Sequence, residues 1–322
     1  MLLYAVAMFV GFVCLVWGAD RMVSGAAVTA RNFGLAPMLI GLTVVGFATS
    51  APEILVSISA ALQNSPNIAI GNAIGSNIAN IGLVAGVAAL VRPLVVKSET
   101  LRRELPAMVA VSILPVILVP DLVLGRLDGL LLLLCMIGFF YWIIRLGMRT
   151  RGHDTLEAEY AAEIPGDVKQ SVAYTSIVIG LAALLLGANA LVWGAENLAL
   201  AVGISELVLG LTVVAIGTSL PELAVSVTAA RKGHHGLAFG NIIGSNAFNM
   251  LAVVGIAAAI RPTELSADVA QLHMPVMLAF TVAFFFMSYN YSDTVRLKSL
   301  SGGVLLFGFI IYYGYVAYQT IQ

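Results

Sequence analysis

Long apolar runs, separated by short polar stretches, fill this chain from end to end. Ten of them approach or exceed the roughly 20 residues that a helix needs to cross hydrocarbon. They lie at residues 2–19, 36–62, 68–91, 104–122, 125–147, 174–199, 205–231, 237–260, 270–288 and 300–319. The pattern predicts an all-α polytopic membrane protein with ten transmembrane helices. The first run, MLLYAVAMFVGFVCLVWGAD, lacks the basic segment that opens a secretory signal and is read as an uncleaved first helix.

Composition agrees: the 322 residues are 60% hydrophobic and 10% charged, with a mean hydropathy of +0.98, more apolar surface than a soluble domain of this size buries. Cys14 and Cys135 both fall inside apolar runs, where small buried hydrophobes are expected rather than a disulfide or metal centre. A net charge of −1 gives no hint of nucleic-acid binding. The charges are uneven between the two sides of the ten-helix arrangement: fourteen of the sixteen Lys and Arg residues fall on one side, leaving only Arg126 and Arg261 on the other. Cytoplasmic loops carry the positive excess. The loops after helices 1, 3, 5, 7 and 9 are therefore expected in the cytoplasm, and both termini outside.

The polar pattern also repeats. GLTVVGFATSAPEILVSISAA at 41–61 returns as GLTVVAIGTSLPELAVSVTAA at 210–230, and GNAIGSNIAN at 71–80 returns as GNIIGSNAFN at 240–249, both displaced by 169 residues. The same offset joins Arg92-Pro93 to Arg261-Pro262 and Pro106 to Pro275. WGAD at 17–20 and WGAE at 193–196 are 176 apart, so the second half has lost seven residues between Glu196 and Gly210. The expected organisation is a five-helix repeat over 1–147, a cytoplasmic linker over 148–171 and a second five-helix repeat over 172–322. An odd number of helices per repeat inverts the second copy in the membrane, an arrangement that gives secondary transporters two mirror-related access states. The acidic linker has no EF-hand spacing and is read as a solvated connector.

Glu53 and Glu222 are the only carboxylates well inside the predicted spans. A charge at the membrane centre costs about 2.5–3.5 kcal/mol even on the lenient insertion scale, so two of them point to function. Thr49 and Ser50 precede Glu53 at helical spacing, as Thr218 and Ser219 precede Glu222. Pro52 and Pro221 cannot donate to the carbonyls of Ala48 and Gly217, and are expected to bend or break the helices there. Freed carbonyls are tolerated in a membrane where they are buried in protein or line a cavity. Asn72, Ser76 and Asn80 form a second polar stripe, repeated as Asn241, Ser245 and Asn249. For Ser76, Asn80, Ser245 and Asn249, coordination of an ion is the favoured reading. For Gly71, Gly75, Gly240 and Gly244, close helix packing is favoured. The donors are oxygen alone, which suits hard cations, calcium first; His234, His235 and His273 lie toward loops and helix ends and receive no ligand role.

These motifs, GFATSAPE with AIGTSLPE and GNAIGSNIAN with GNIIGSNAFN, resemble the paired α-repeats of the calcium/cation antiporter superfamily, most closely its prokaryotic sodium/calcium exchangers. The resemblance implies a core of helices 2, 3, 7 and 8 that holds the ions, with long helices 1 and 6 sliding to alternate access. It implies Glu53 and Glu222 as the main calcium ligands. Thr49, Ser50, Ser76, Thr218, Ser219, Ser245 and the carbonyls of Gly46 and Ala215 would complete the calcium and sodium sites. Some relatives carry an acidic residue where this chain has Asn249, whereas Asn80 and Asn249 are both neutral here. The expected activity is calcium/sodium antiport in a prokaryotic-type inner membrane. Proton/calcium or potassium-dependent exchange is the alternative, and an intramembrane enzyme is disfavoured for want of a nucleophile and base. No cofactor is expected beyond the transported calcium and sodium.

Overall fold

The computed structural model describes residues 1–64, 66–97, 99–149, 168–201, 215–289 and 294–321. Its helices, in chain order, are α1 (Leu2–Phe33), α2 (Pro37–Thr49), α3 (Ala51–Leu62), α4 (Pro66–Val91), α5 (Glu99–Leu118) and α6 (Arg126–Arg149). They continue with α7 (Gln170–Ala201), α8 (Ala215–Thr218), α9 (Leu220–Arg231), α10 (His235–Ile260), α11 (Val269–Ser288) and α12 (Ser299–Ile321). Among the described residues seven of these are long and apolar enough to cross a membrane, and the bent pair α2 and α3 makes an eighth. The protein is thus an all-helical, multi-pass membrane protein.

Two of the ten predicted spans are not among the eight. The helix at 104–122 runs from Glu99 to Leu118 and opens on a charged turn containing Glu99, Arg102, Arg103 and Glu104, which shortens its apolar length. The span at 205–231 is described only from Ala215, as the short α8 and the twelve-residue α9. The predicted seven-residue loss falls largely on 202–214, outside the described residues. The described part of α7 is nonetheless 32 residues long, matching α1.

Burial separates a core from a periphery. In α10 and α4 the apolar windows are 89% and 72% buried, against 17–33% in the other long spans. Small residues allow this. A Cβ at Gly240 would stand 2.3 Å from the Met38 carbonyl, and one at Gly244 2.3 Å from that of Leu42, so α10 lies backbone to backbone on α2. Their repeat mates differ: among the described residues nothing lies within 4 Å of a Cβ at Gly71. The segment that would correspond to Met38–Leu42 is 207–211, outside the described residues. On the periphery, Leu127, Leu134, Phe286 and Leu300 are each 65–81% exposed, the outward-facing apolar surface that a bilayer covers.

Helices α1 and α7 form a long antiparallel pair. Glycines at seven-residue intervals, Gly11, Gly18 and Gly25, meet Gly187, Gly180 and Ala173, with would-be Cβ atoms 2.7 Å from the facing carbonyl oxygens. The pair is tied to the core through Lys232 Nζ, 2.6 Å from Asp20 Oδ1 and 2.7 Å from Ser24 Oγ.

Two short antiparallel ladders were not anticipated. Strand β1 (Leu94–Lys97) pairs with β4 (Thr294–Leu297), and β2 (Val123–Leu124) with β3 (Thr263–Glu264). Their origin lies in Arg-Pro. A residue before proline is driven to extended backbone, and Arg92 (φ −155, ψ 127) and Arg261 (φ −137, ψ 102) end α4 and α10 in that conformation.

Candidate cation site

The break between α2 and α3 comes at Ser50 (φ −83, ψ 5), two residues before Pro52, and bends the axis by 42°. Ser219 (φ −87, ψ 3) makes the same break before Pro221. Each proline thus sits in the first turn of a new helix, where its missing N–H costs nothing. The Ser50 and Ser219 carbonyls accept the first bonds of those helices, from Ile54 and Leu223. Ser-x-x-Glu at a helix start has the form of a capping box. Neither serine side chain caps its own helix, however. Both carboxylates stand in the first turn of a helix whose N-terminal dipole favours negative charge.

The polar side chains reach across to the other repeat instead. Ser50 Oγ donates to Glu222 Oε1 at 3.5 Å, and Thr49 also stands beside the Glu222 carboxyl. Reciprocally, Glu53 has Thr218 from the second repeat beside it, together with Ser76. Among the described residues the Ser76 hydroxyl lacks hydrogen-bond geometry to any partner. Glu53 and Glu222 are each 1% exposed and close enough for their charges to interact. Thr49 Oγ1 lies 3.1 Å from Asn241 Oδ1, 3.3 Å from Ser245 Oγ and 3.3 Å from the Gly46 carbonyl. Asn241 is held in turn by Nδ2 bonds to Ser226 Oγ (2.9 Å) and the Glu222 carbonyl (3.3 Å).

Among the described residues, six buried oxygens of the predicted set have no hydrogen-bond partner: Glu53 Oε2, Glu222 Oε2, Ser76 Oγ, Ser219 Oγ, Asn80 Oδ1 and Asn249 Oδ1. Unpaired buried oxygens are costly, and a hard cation that takes 6–8 oxygen ligands suits this donor set. Asn80 and Asn249 each open a π-helical turn, Asn80–Ala85 and Asn249–Val253, a distortion that frees backbone groups and recurs at functional positions. A cavity of about 180 Å³ adjoins both breaks, lined by Pro52, Pro221 and Thr218 and, on the α7 side, by Ala188, Asn189 and Val192.

Other predicted residues stand differently. The Gly46 carbonyl is engaged by the Ser50 amide at 3.0 Å as well as by Thr49. Ser219 N–H bonds Ile216 O, one residue short of the α-helical acceptor at Ala215, so the two breaks are not identical in their carbonyls. Asn72 is only half-buried, and its Nδ2 has no partner. Of the described histidines, His273 Nδ1 meets Tyr312 OH at 2.7 Å. His234 precedes α10, where burial, then Lys232 and His235, hold its imidazole down at about 4.

Sequence reasoning missed three residues. Asn77 and Asn246, buried in the core, bridge the two repeats, and their place in the duplicated Gly-Ser-Asn triplet was the available signal. Glu104 is a third carboxylate inside the helical body, 0% exposed and with neither oxygen partnered among the described residues, contrary to the expectation of two. Its neighbours Arg102 and Arg103 disguised it as part of a loop-facing charged turn.

Taken together, the fold and this site define a polytopic membrane protein with a buried cluster of oxygen donors assembled at two duplicated helix breaks. The chain belongs to the sodium/calcium exchanger protein family, whose sequence profile matches residues 3–145 and 172–319, one block in each half. It is 44% identical to a putative antiporter, CaxA, of Alkalimonas amylolytica over 97% of this chain and 98% of that one. It is 30% identical to the sodium/calcium exchanger MaX1 of Methanosarcina acetivorans over 95% and 96%. Among solved structures, the sodium-calcium exchanger NCX_Mj superposes with a TM-score of 0.84 at 30% identity, covering 98% of this chain and 99% of that one.

Proposed function

We propose that this protein is a secondary active antiporter that exchanges calcium for sodium by alternating access. In this reading, its ten helices form two inverted five-helix repeats in an inner membrane, with both termini outside and the linker cytoplasmic. The observation that carries the proposal is the reciprocal pairing at the breaks. Glu222 is served by Thr49 and Ser50, and Glu53 by Thr218, so neither repeat completes the site alone. Two carboxylates balance one calcium ion, and the surrounding hydroxyls and amides supply neutral oxygens to calcium or sodium. Calcium and sodium compete for the same carboxylates, and only a loaded site crosses; that exclusivity couples the two fluxes. Where more charge moves with sodium than with calcium, the membrane potential contributes about 2.3 kcal/mol per charge per 100 mV.

The test is flux in proteoliposomes. Sodium-loaded vesicles diluted into low-sodium medium should take up calcium, and Glu53→Gln and Glu222→Gln should each abolish that uptake while eluting as folded protein. Uptake indifferent to the sodium gradient but driven by a pH gradient would replace sodium with protons as the counter-ion. Near-wild-type flux in both variants would refute the site.

A further inference from the structure

On either side of Glu53, two contacts between the broken helix and α10 join residues 196 apart: Thr49 meets Ser245, and Ser57 Oγ donates to the Val253 carbonyl at 2.8 Å. The same register places position 249 opposite position 53. Asn249 Nδ2 donates to Asn77 Oδ1 at 3.1 Å, and its own Oδ1 is buried without a partner among the described residues. Asn77 Nδ2 in turn donates to the Asn246 carbonyl at 3.3 Å and faces Met277 Sδ at 3.8 Å. A backbone carbonyl can only accept, so the Asn77 atom against it must be its NH2. The Asn77 oxygen then faces Asn249 and requires an N–H there. The carbonyl therefore sets two amides in series.

We infer that Asn77 is a positioning residue, which holds the Asn249 amide with its oxygen, rather than its NH2, presented to the cation site. The point matters because an amide turned the other way presents positive hydrogens to a cation. The relay is one-sided. Among the described residues, Asn80, the repeat mate of Asn249, has both amide atoms unpartnered, and the amide of Asn246, the mate of Asn77, donates to the Ile242 carbonyl instead, at 2.6 Å. One neutral amide of the duplicated pair is held in orientation by this relay and the other has no such partner among the described residues, so the two halves of the site are unequal toward the ion.

This inference rests on the reading of the site as a calcium and sodium site, and the experiment separates the two. Calcium binding to purified protein is measured by calorimetry for the wild type, Asn77→Ala, Asn249→Ala, the double variant and Glu53→Gln. Asn77→Ala should weaken calcium about tenfold, the order of one properly oriented polar contact. Asn249→Ala should do the same, and the double variant should be no weaker than Asn249→Ala alone, because Asn77 acts through Asn249. A purely structural role for Asn77 would instead give additive losses, which overturns the inference, as does unchanged binding in Asn77→Ala. Asn77→Val, which fills more of the space with no polar atom, serves in place of the alanine variant if that variant does not elute as a single species. Full calcium binding by Glu53→Gln would sink the site itself, whereas loss there with no effect at Asn77 would sink the relay alone.

Discussion

At the scale of single residues, the three buried carboxylates divide by what surrounds them. Glu53 and Glu222 have hydroxyls from the opposite repeat beside them and stand at helix N-termini, where negative charge is favoured. Glu104 lies in the body of α5 and has neither, and among the described residues both its oxygens are unpartnered. A buried carboxyl without a partner gains nothing from its charge. Glu104→Gln, which keeps the shape and removes the acid, should therefore leave sodium-driven calcium uptake within about twofold of wild type and thermal stability equal or higher. Glu104→Ala opens a cavity and should cost about 2–3 kcal/mol, read as a lower melting temperature in detergent. Abolished uptake in the Gln variant would instead make Glu104 part of the ion path. The sequence announced Glu53 and Glu222 because each sits mid-run among hydroxyls and beside proline. It concealed Glu104 behind two arginines, since a charge at the edge of an apolar run reads as loop whether it turns outward or inward.

At the scale of elements, the broken helices were legible and the manner of breaking was not. Proline located each break to within two residues, but Ser50 and Ser219 are where the backbone turns, because a proline is accommodated as the start of a new helix. The π-helical turns at Asn80 and Asn249 carry no periodic signature, and the strands after Arg92-Pro93 and Arg261-Pro262 are too short to have one. The α1 and α7 pair could have been read from its glycines, which recur every seven residues on both helices. At Gly18 a Cβ would stand 2.7 Å from the Gly180 carbonyl. Gly18→Val must therefore push the helices apart, and a loss of about 1–3 kcal/mol is expected, with calcium uptake falling in parallel. Gly138→Ala, where nothing lies within 4 Å, should be neutral or stabilising by up to about 1 kcal/mol through helix propensity. Thermal unfolding of the two variants side by side distinguishes a contact effect from a general intolerance of substitution.

At the scale of the whole molecule, the two ladders give the proposed inversion its most direct test. Leu94 pairs with Leu297 and Leu124 with Thr263. Thr263 follows Leu94 by 169 residues, the offset of the sequence motifs, while Leu297 follows Leu124 by 173, so the second half carries four extra residues on the way to its strand. Each ladder therefore joins the segment after the core helix of one half to a segment in the other half, and the duplication exchanges the two ladders. If the second half is upside down, equivalent strands must face opposite sides of the membrane, and the Lys and Arg distribution puts β1 with β4 inside and β2 with β3 outside. Arg296 and Glu264 are both exposed, which makes them suitable reporters. With Cys14 and Cys135 replaced, a membrane-impermeant maleimide applied to intact cells should label Glu264→Cys directly and Arg296→Cys only after permeabilisation. Labelling of both from the same side would leave the repeats parallel, and an ion site built by exchange between inverted halves could not then switch its access by symmetry.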